Sequence, residues 1–250
     1  MALQPWRTGK IVRIEQQAPA TRRFFIQIPE LEKFDFQPGQ FVTLDLPVHE
    51  KPHKRWRSYS IASWPDGSNV IELCIVLLED GAGTQYLFNE IKEGSEIKLR
   101  GPVGVFTLPN PIEKDLFLIC TGTGIAPFRS MLNYIHLHQI PYKNIYLIFG
   151  TRTKTDLLYF DELTKLASEM KNVQYLPTLS REEWNGAQGY VHDLYLNICK
   201  ENASPNEEGV QTPRPAYFFL CGWKNMIDEA KIRILELGYD RKDIHQELYG

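Results

Sequence analysis

Several things are scarce in this chain, and each absence narrows its chemistry. No apolar run approaches the roughly 20 residues that a helix needs to cross a bilayer, and the opening MALQPWRTGKIVRIEQQ has no basic start followed by an apolar signal core. The expectation is a soluble, cytoplasmic protein with no membrane span. Cysteine is sparse and scattered, at Cys74, Cys120, Cys199 and Cys221. That spacing fits neither a Cys-x-x-Cys metal site nor a plant-type iron–sulfur pattern, so no metal is expected and any cluster must belong to another protein. One-sided charge is lacking too. The net charge of -3 over 250 residues gives no global attraction to nucleic acid. Internal repeats and low-complexity tracts are absent, and the polar, Pro-rich stretch at 200–215 reads as a surface loop.

A 43% hydrophobic content over this length supports a large core, and length alone leaves one or two domains open. The texture of the chain changes near residue 110. Before it, six short β-rich runs, GKIVRIEQ, TRRFFIQI, GQFVTLDL, RSYSIAS, NVIELCIVLL and SEIKLRG, alternate with Pro/Gly turns. Such a pattern predicts an antiparallel β-barrel or sandwich. After it, strand-like runs lead into helix-like ones: LFLIC into APFRSMLNYIHLH, NIYLIFG into DLLYFDELTKLASEM, YFFLC into NMIDEAKIRILEL. This is the unit of a parallel sheet covered by helices. The stretch PNPIEKD at 109–115 is the expected linker. The boundaries expected are therefore 1–109 and 110–250.

Three short stretches carry chemistry. CTGTGIAPFRS at 120–130 sets Thr121, Gly122, Thr123 and Gly124 between strand and helix. A turn of this kind exposes backbone N–H groups at the positive end of a helix, which suits a pyrophosphate. The same glycines also suit a tight connection alone, and the two readings stand level on this stretch by itself. In the β-rich half, RSYSIAS at 57–63 alternates arginine, aromatic and hydroxyl. As a strand it would put Arg57 and Tyr59 on one face and Ser58 and Ser60 on the other. The ring can cover a planar heterocycle while Arg57 pairs with phosphate, or the run is an ordinary barrel strand. GAGTQYL at 81–87 again sets small residues and a hydroxyl before a short helical pattern, a second possible pyrophosphate seat. Two seats in two differently textured halves suggest two nucleotide cofactors.

In order along the chain, RSYS, GAGT, GPVGVF, TGTGIAP, FGTRTKTDLLY, LSRE, CGWKNM and the terminal ELY resemble the ferredoxin–NADP reductases, which pair a flavin-binding β-barrel with a nicotinamide-nucleotide domain. The resemblance spans about 57–249. It implies that Arg57 holds the flavin pyrophosphate, Tyr59 stacks on the isoalloxazine and Ser60 bonds near flavin N5, with Gly83 and Thr84 completing the seat. Leu73, Cys74, Ile75 and Val76 would line the flavin through backbone groups and apolar contacts, although simple core packing suits the side chains of Cys74 and Val76 better. In the second half it implies that 121–124 receive the nucleotide pyrophosphate and that Cys221 and Gly222 stand near the nicotinamide. Glu247 and Tyr249 match the family's terminal carboxylate and aromatic, with Gly250 one residue beyond. Ser60, Cys221, Glu247 and Tyr249 form the expected catalytic set.

The cofactors implied are FAD and NADP(H), joined by hydride transfer that two rigid domains orient. Arg152, Ser180 and Arg181 match the grip on the 2′-phosphate, and Tyr190 is placed to stack on adenine. A further basic residue of NADP-specific relatives is replaced by Gln188. The preference expected is for NADPH over NADH. A separate one-electron carrier, ferredoxin or flavodoxin, follows from the missing cluster cysteines. KPHKRWR at 51–57 offers positive charge to such an acidic partner, or is a solvated loop. The chain is expected to be monomeric. Two alternatives remain at this point: an NADH-dependent reductase component serving an oxygenase or cytochrome, and a non-catalytic flavin-binding docking subunit.

Overall fold

The structure, a computed structural model, describes residues 4–205 and 211–249. Gly250 and residues 206–210 of the expected surface loop lie outside the described residues. Two compact units divide the chain. The first comprises Met1–Leu108 together with Ala126–Leu137, and the second comprises Pro109–Ile125 with His138–Gly250.

The first unit holds six antiparallel strands: β1 (Arg7–Ala18), β2 (Thr21–Gln27), β3 (Phe41–Asp45), β4 (Trp56–Ser60), β5 (Val70–Val76) and β6 (Glu96–Val103). A short helix, α1 (Ala82–Asn89), precedes β6. All six runs predicted as strands form them. The sheet order is β4-β3-β6-β1-β2-β5, and its two end strands meet at a single bridge, Ile61 to Leu73. That bridge turns the sheet toward a barrel, the architecture expected. Alternation explains the register: in β6, Ile97 and Leu99 point inward while Glu96 and Lys98 stay outside. The core they join includes Ile11, Phe24, Ile26, Val42, Leu44, Leu73 and Ile75. Each such side chain contributes about 1.5–3 kcal/mol on burial. The helix α2 (Ile125–Leu137) adds to this unit from Ala126 onward, with Phe128 5.9 Å from Phe106.

The second unit is a parallel sheet. Its strands are β7 (Asp115–Thr121), β8 (Ile145–Thr151), β9 (Val173–Leu179), the short β10 (Ala187–Gln188), β13 (Ala216–Gly222) and β14 (Ile244–Leu248), and Ser204–Pro205 with Gln211–Thr212 form a separate small hairpin, β11 and β12. Helices α3 (Phe160–Glu169), α4 (Val191–Glu201) and α5 (Lys224–Glu236) connect the strands. The three helical runs read from sequence become α2, α3 and α5. α3 begins later than predicted, because Tyr159 takes the left-handed conformation at φ 55° and the residues before it form a turn of 3₁₀ helix. α4, β9 and β14 have weaker apolar runs and were not predicted. Asp115, read as the end of a linker, opens β7 and is buried, accepting a bond from Asn144 Nδ2 at 2.7 Å.

β7 and β8 are buried along nearly their whole length, as strands covered on both faces must be, and so they read as unbroken apolar runs. Phe117 stacks between Tyr146 at 4.7 Å and Phe218 at 4.8 Å in the core between sheet and helices. The strand order β10-β9-β8-β7-β13-β14 means that the chain moves outward from β7 to β10, then returns to the other side of β7. The reversal lies between β7 and β13. In an open parallel sheet, ligands bind beyond the carboxyl ends of the strands at such a reversal.

Candidate functional site

In the first unit, Arg57 lies over the start of α1. A Cβ built on Gly83 would stand 3.0 Å from Arg57 Cγ and 3.2 Å from its Nε, so glycine lets the arginine stem lie close on the helix without displacement. Arg57 Nη1 donates to the carbonyls of Lys54 at 2.9 Å and Trp56 at 2.8 Å, which fixes the side chain. Beside it, Gly81 caps the start of α1, and its carbonyl accepts the first helical bond from Gln85 N at 2.8 Å. The N–H groups of 82–84 thus face outward beneath a guanidinium, a donor set suited to a pyrophosphate. Thr84 acts differently from what its hydroxyl suggests. Its Oγ1 accepts from Leu78 N at 3.1 Å and donates to Gly81 O at 3.0 Å, so the side chain builds the turn and only its backbone is left for a ligand.

Tyr59 is half-buried against the barrel core, and burial pushes its phenol up to about 12 against the pull of Arg57. It stays a neutral ring. Ser58 and Ser60 share the other face, yet Ser58 is exposed beside Thr43 Oγ1 at 3.1 Å while Ser60 is buried. The structure differs from the packing expected on β5. Leu73 and Ile75 pack in the barrel core, which leaves their backbone groups for a ligand, whereas Cys74 is buried on the opposite face and lies outside that core cluster. Period-two geometry forces this, since Phe24 and Leu73 pair across the sheet with the core on their side.

In the second unit the predicted nucleotide residues stand along one edge, the carboxyl ends of the parallel strands. Gly122 has φ 55°, and a Cβ added to it meets nothing within 4 Å, so it opens onto free space. Gly124 is the reverse case: a Cβ there would lie 2.7 Å from the Cys221 carbonyl carbon and closer still to its oxygen. Gly222, at φ 139°, packs against Thr121, whose Oγ1 accepts from Trp223 N at 3.5 Å. The Gly-rich turn and the end of β13 are therefore fitted together at the strand reversal. Cys221 pairs with Glu247 in register, and Tyr249 N donates to Gly222 O at 2.9 Å. Burial pushes the Cys221 thiol well up and the Glu247 charge adds to the shift, while the neighbouring Tyr249 side chain opposes it. Cys221 stays protonated. Cys221, Glu247 and Tyr249 are thus brought together with 121–124, and Ser60 belongs to the first unit.

Further along the edge, Ser180 N donates to Thr151 O and Arg181 N to Arg152 O, each at 3.0 Å. These bonds set two exposed arginines side by side. Tyr190, 69% exposed, follows β10, where Gln188 pairs with Leu179. One feature escaped the sequence reading: the buried Arg129 in APFRS bonds the Glu72 carboxylate at 3.0 Å and the Ala62 carbonyl at 2.9 Å. A charged residue in an otherwise apolar helical stretch was the available signal. Among the described residues no group of three or more His, Cys, Asp or Glu is placed to hold a metal ion, and no helix is long and apolar enough to cross a membrane.

Residues 8–108 match the oxidoreductase FAD-binding domain and residues 118–231 the oxidoreductase NAD-binding domain, the two modules of a flavin- and nicotinamide-dependent oxidoreductase. The chain belongs to the ferredoxin–NADP reductase family. It is 34% identical over 246 residues to ferredoxin–NADP reductase B of Sorangium cellulosum, covering 96% of each chain. It is also 32% identical over 203 residues to the anthranilate 1,2-dioxygenase electron transfer component of Acinetobacter baylyi, covering 80% of this chain and 54% of that longer one. The crystal structure of a ferredoxin NADP+ reductase from Neisseria gonorrhoeae with bound FAD and NADP superposes with a TM-score of 0.78 at 28% identity, covering 97% of this chain and 98% of that one.

Proposed function

We propose that this oxidoreductase exchanges electrons between NADP(H) and a one-electron carrier of the ferredoxin or flavodoxin type, with residues 1–109 binding FAD and 110–250 binding the dinucleotide. The observation that carries this reading is a pair of close approaches at glycine, Gly83 under the Arg57 side chain and Gly124 against the Cys221 backbone. Bound flavin supplies the conversion between a two-electron donor and a one-electron acceptor. The chain does the rest. Arg57 and the N–H groups of 82–84 hold a pyrophosphate, and Tyr59 presents a neutral ring to the flavin. The turn at 121–124 holds the second pyrophosphate at the amino end of α2. Ser60 would offer a hydroxyl to a bound flavin, and Cys221, as a neutral thiol, and Glu247 would stand beside a bound nicotinamide. Tyr249, whose N–H bonds Gly222 at the end of β13, would supply an aromatic ring for a bound cofactor.

NADPH is preferred because the 2′-phosphate is a dianion and Arg152 and Arg181 stand adjacent on neighbouring strand ends. The carrier is acidic, drawn by Lys51 and Lys54 on the exposed turn before β4; Arg55 contributes less, since Asp45 pairs with it at 2.7 Å. The likeness to an oxygenase electron transfer component favours a second reading, an NADH-dependent reductase for an oxygenase. One assay separates them. The purified protein should carry FAD and reduce an artificial acceptor faster with NADPH than with NADH. Replacing Arg152 and Arg181 by Ala should cut kcat/KM for NADPH at least tenfold while that for NADH changes little. No preference for NADPH in the wild type would favour the NADH-dependent reading instead.

A further inference from the structure

The sheet of the first unit closes at one seam. β4 and β5 lie at opposite ends of its order, and among the described residues they are joined by an isolated bridge from Ile61, just past β4, to Leu73. The bridge includes the bond from Ala62 N to Glu72 O at 2.8 Å, and two further ties cross beside it: Glu72 N donates to Ser63 Oγ at 3.0 Å, and Arg129 Nη1 donates to both Ala62 O and the Glu72 carboxylate. Arg129 and Glu72 are 4% and 3% exposed. Arg23 grips the same carboxylate with two bonds, at 2.7 and 2.9 Å, and Trp64 lies 5.2 Å from the Arg129 guanidinium.

A buried ion pair is a poor way to gain stability, because desolvating both charges offsets their attraction. Its more reliable effect is to impose one geometry. Here that geometry concerns two residues at functional positions: Ala62 is two residues past Ser60, and Glu72 immediately precedes 73–75. Neither strand end is held by a full ladder.

We propose that Arg129 is a positioning residue for the flavin, clasping β4 to β5 so that Ser60 and the backbone of 73–75 present one fixed edge. This rests on the FAD-site reading above. It assigns a task to an arginine one turn into α2, the helix that follows the Gly-rich nucleotide turn. Removing the guanidinium leaves Glu72 paired with Arg23, so Arg129→Met loses the clasp without stranding the carboxylate.

The test compares Arg129→Met and Arg129→Lys with wild type, by FAD titration, visible flavin absorption, stopped-flow reduction by NADPH and amide exchange. Arg129→Met should bind FAD at least tenfold more weakly, with a less resolved flavin band. At full flavin occupancy, reduction should slow at least tenfold while KM for NADPH stays within twofold. Exchange at Ala62 and Glu72 should accelerate, and Arg129→Lys should recover most of each effect. A folded Arg129→Met that matches wild type at full occupancy overturns the proposal. If that variant does not fold, Ser63→Ala cuts the neighbouring tie alone, and unchanged FAD affinity and exchange there overturn it. A wild type that takes up no FAD sinks the functional reading only; exchange at Ala62 and Glu72 in flavin-free chains still decides the clasp, unchanged rates in Arg129→Met overturning it.

Discussion

The two units build their sites by opposite means. The first uses side chains that stand on a curved antiparallel sheet, with Arg57 and Tyr59 on β4 and a short helix set beneath them. The second uses gaps. Its turn at 121–124 and the end of β13 approach each other because Gly124 and Gly222 have no side chains to keep them apart. Arg57 and Tyr59 thus stand on a frame built mostly by other residues, whereas Gly124 and Gly222 are part of the frame itself.

The sharpest way to break this comparison is Gly124→Ala. The added carbon meets backbone that cannot rotate away, so the change should destabilise the fold by about 3 kcal/mol and abolish nucleotide binding. Thermal unfolding with nucleotide titration checks it, and a stable variant that binds normally would show that the end of β13 can yield. A smaller effect is expected of Arg57→Ala, which should weaken FAD binding by about 1.5–3 kcal/mol through loss of a charge-assisted bond, with little change in unfolding of the flavin-free chain. Equal loss of apo stability would make Arg57 part of the frame after all.

Tyr249→Ser should act in the other direction. If the ring occupies the nicotinamide position on the flavin, its removal tightens NADP+ binding by about 0.5–1.5 kcal/mol, read from the flavin spectrum during titration. Weaker binding would mean that the Tyr249 contact with Cys221 supports the nucleotide edge instead. The smallest effect is on pH. Burial lowers the pKa of His192, although Glu229 opposes the shift. The unfolded chain therefore takes up this proton at a higher pH, near the ordinary value of about 6.5. Stability from the neutral, buried ring is complete above that value and declines as pH falls toward the lowered folded value. Unfolding midpoints at several pH values should show this decline, and His192→Gln should flatten it.

Much of this organisation is legible in the sequence because it depends on local pattern. Six alternating runs became six strands, and the unbroken apolar run LFLIC became a strand buried on both faces. The Gly-rich turns were legible as turns because glycine beside a hydroxyl, between an apolar strand pattern and a helical one, marks the change of element. α4 and β9 were not, since their burial comes from neighbours supplied by distant parts of the chain. The same limit explains Leu73, Cys74 and Ile75: the sequence by itself determined that they alternate, and only cross-strand pairing with β2 decided which face is core.

Composition and spacing alone determined the two textures, the place where they change, the lack of a metal-binding cysteine pattern and the glycines at the strand ends. These depend on propensity and periodicity, which act within a few residues. The tertiary structure alone decided that Arg57 lies on Gly83, that Arg152 and Arg181 stand side by side, that Thr84 spends its hydroxyl on a turn, and that Arg129 reaches Ala62 and Glu72. Each of these joins residues through geometry that exists only once the sheets have chosen their order and register, and no local propensity encodes that choice.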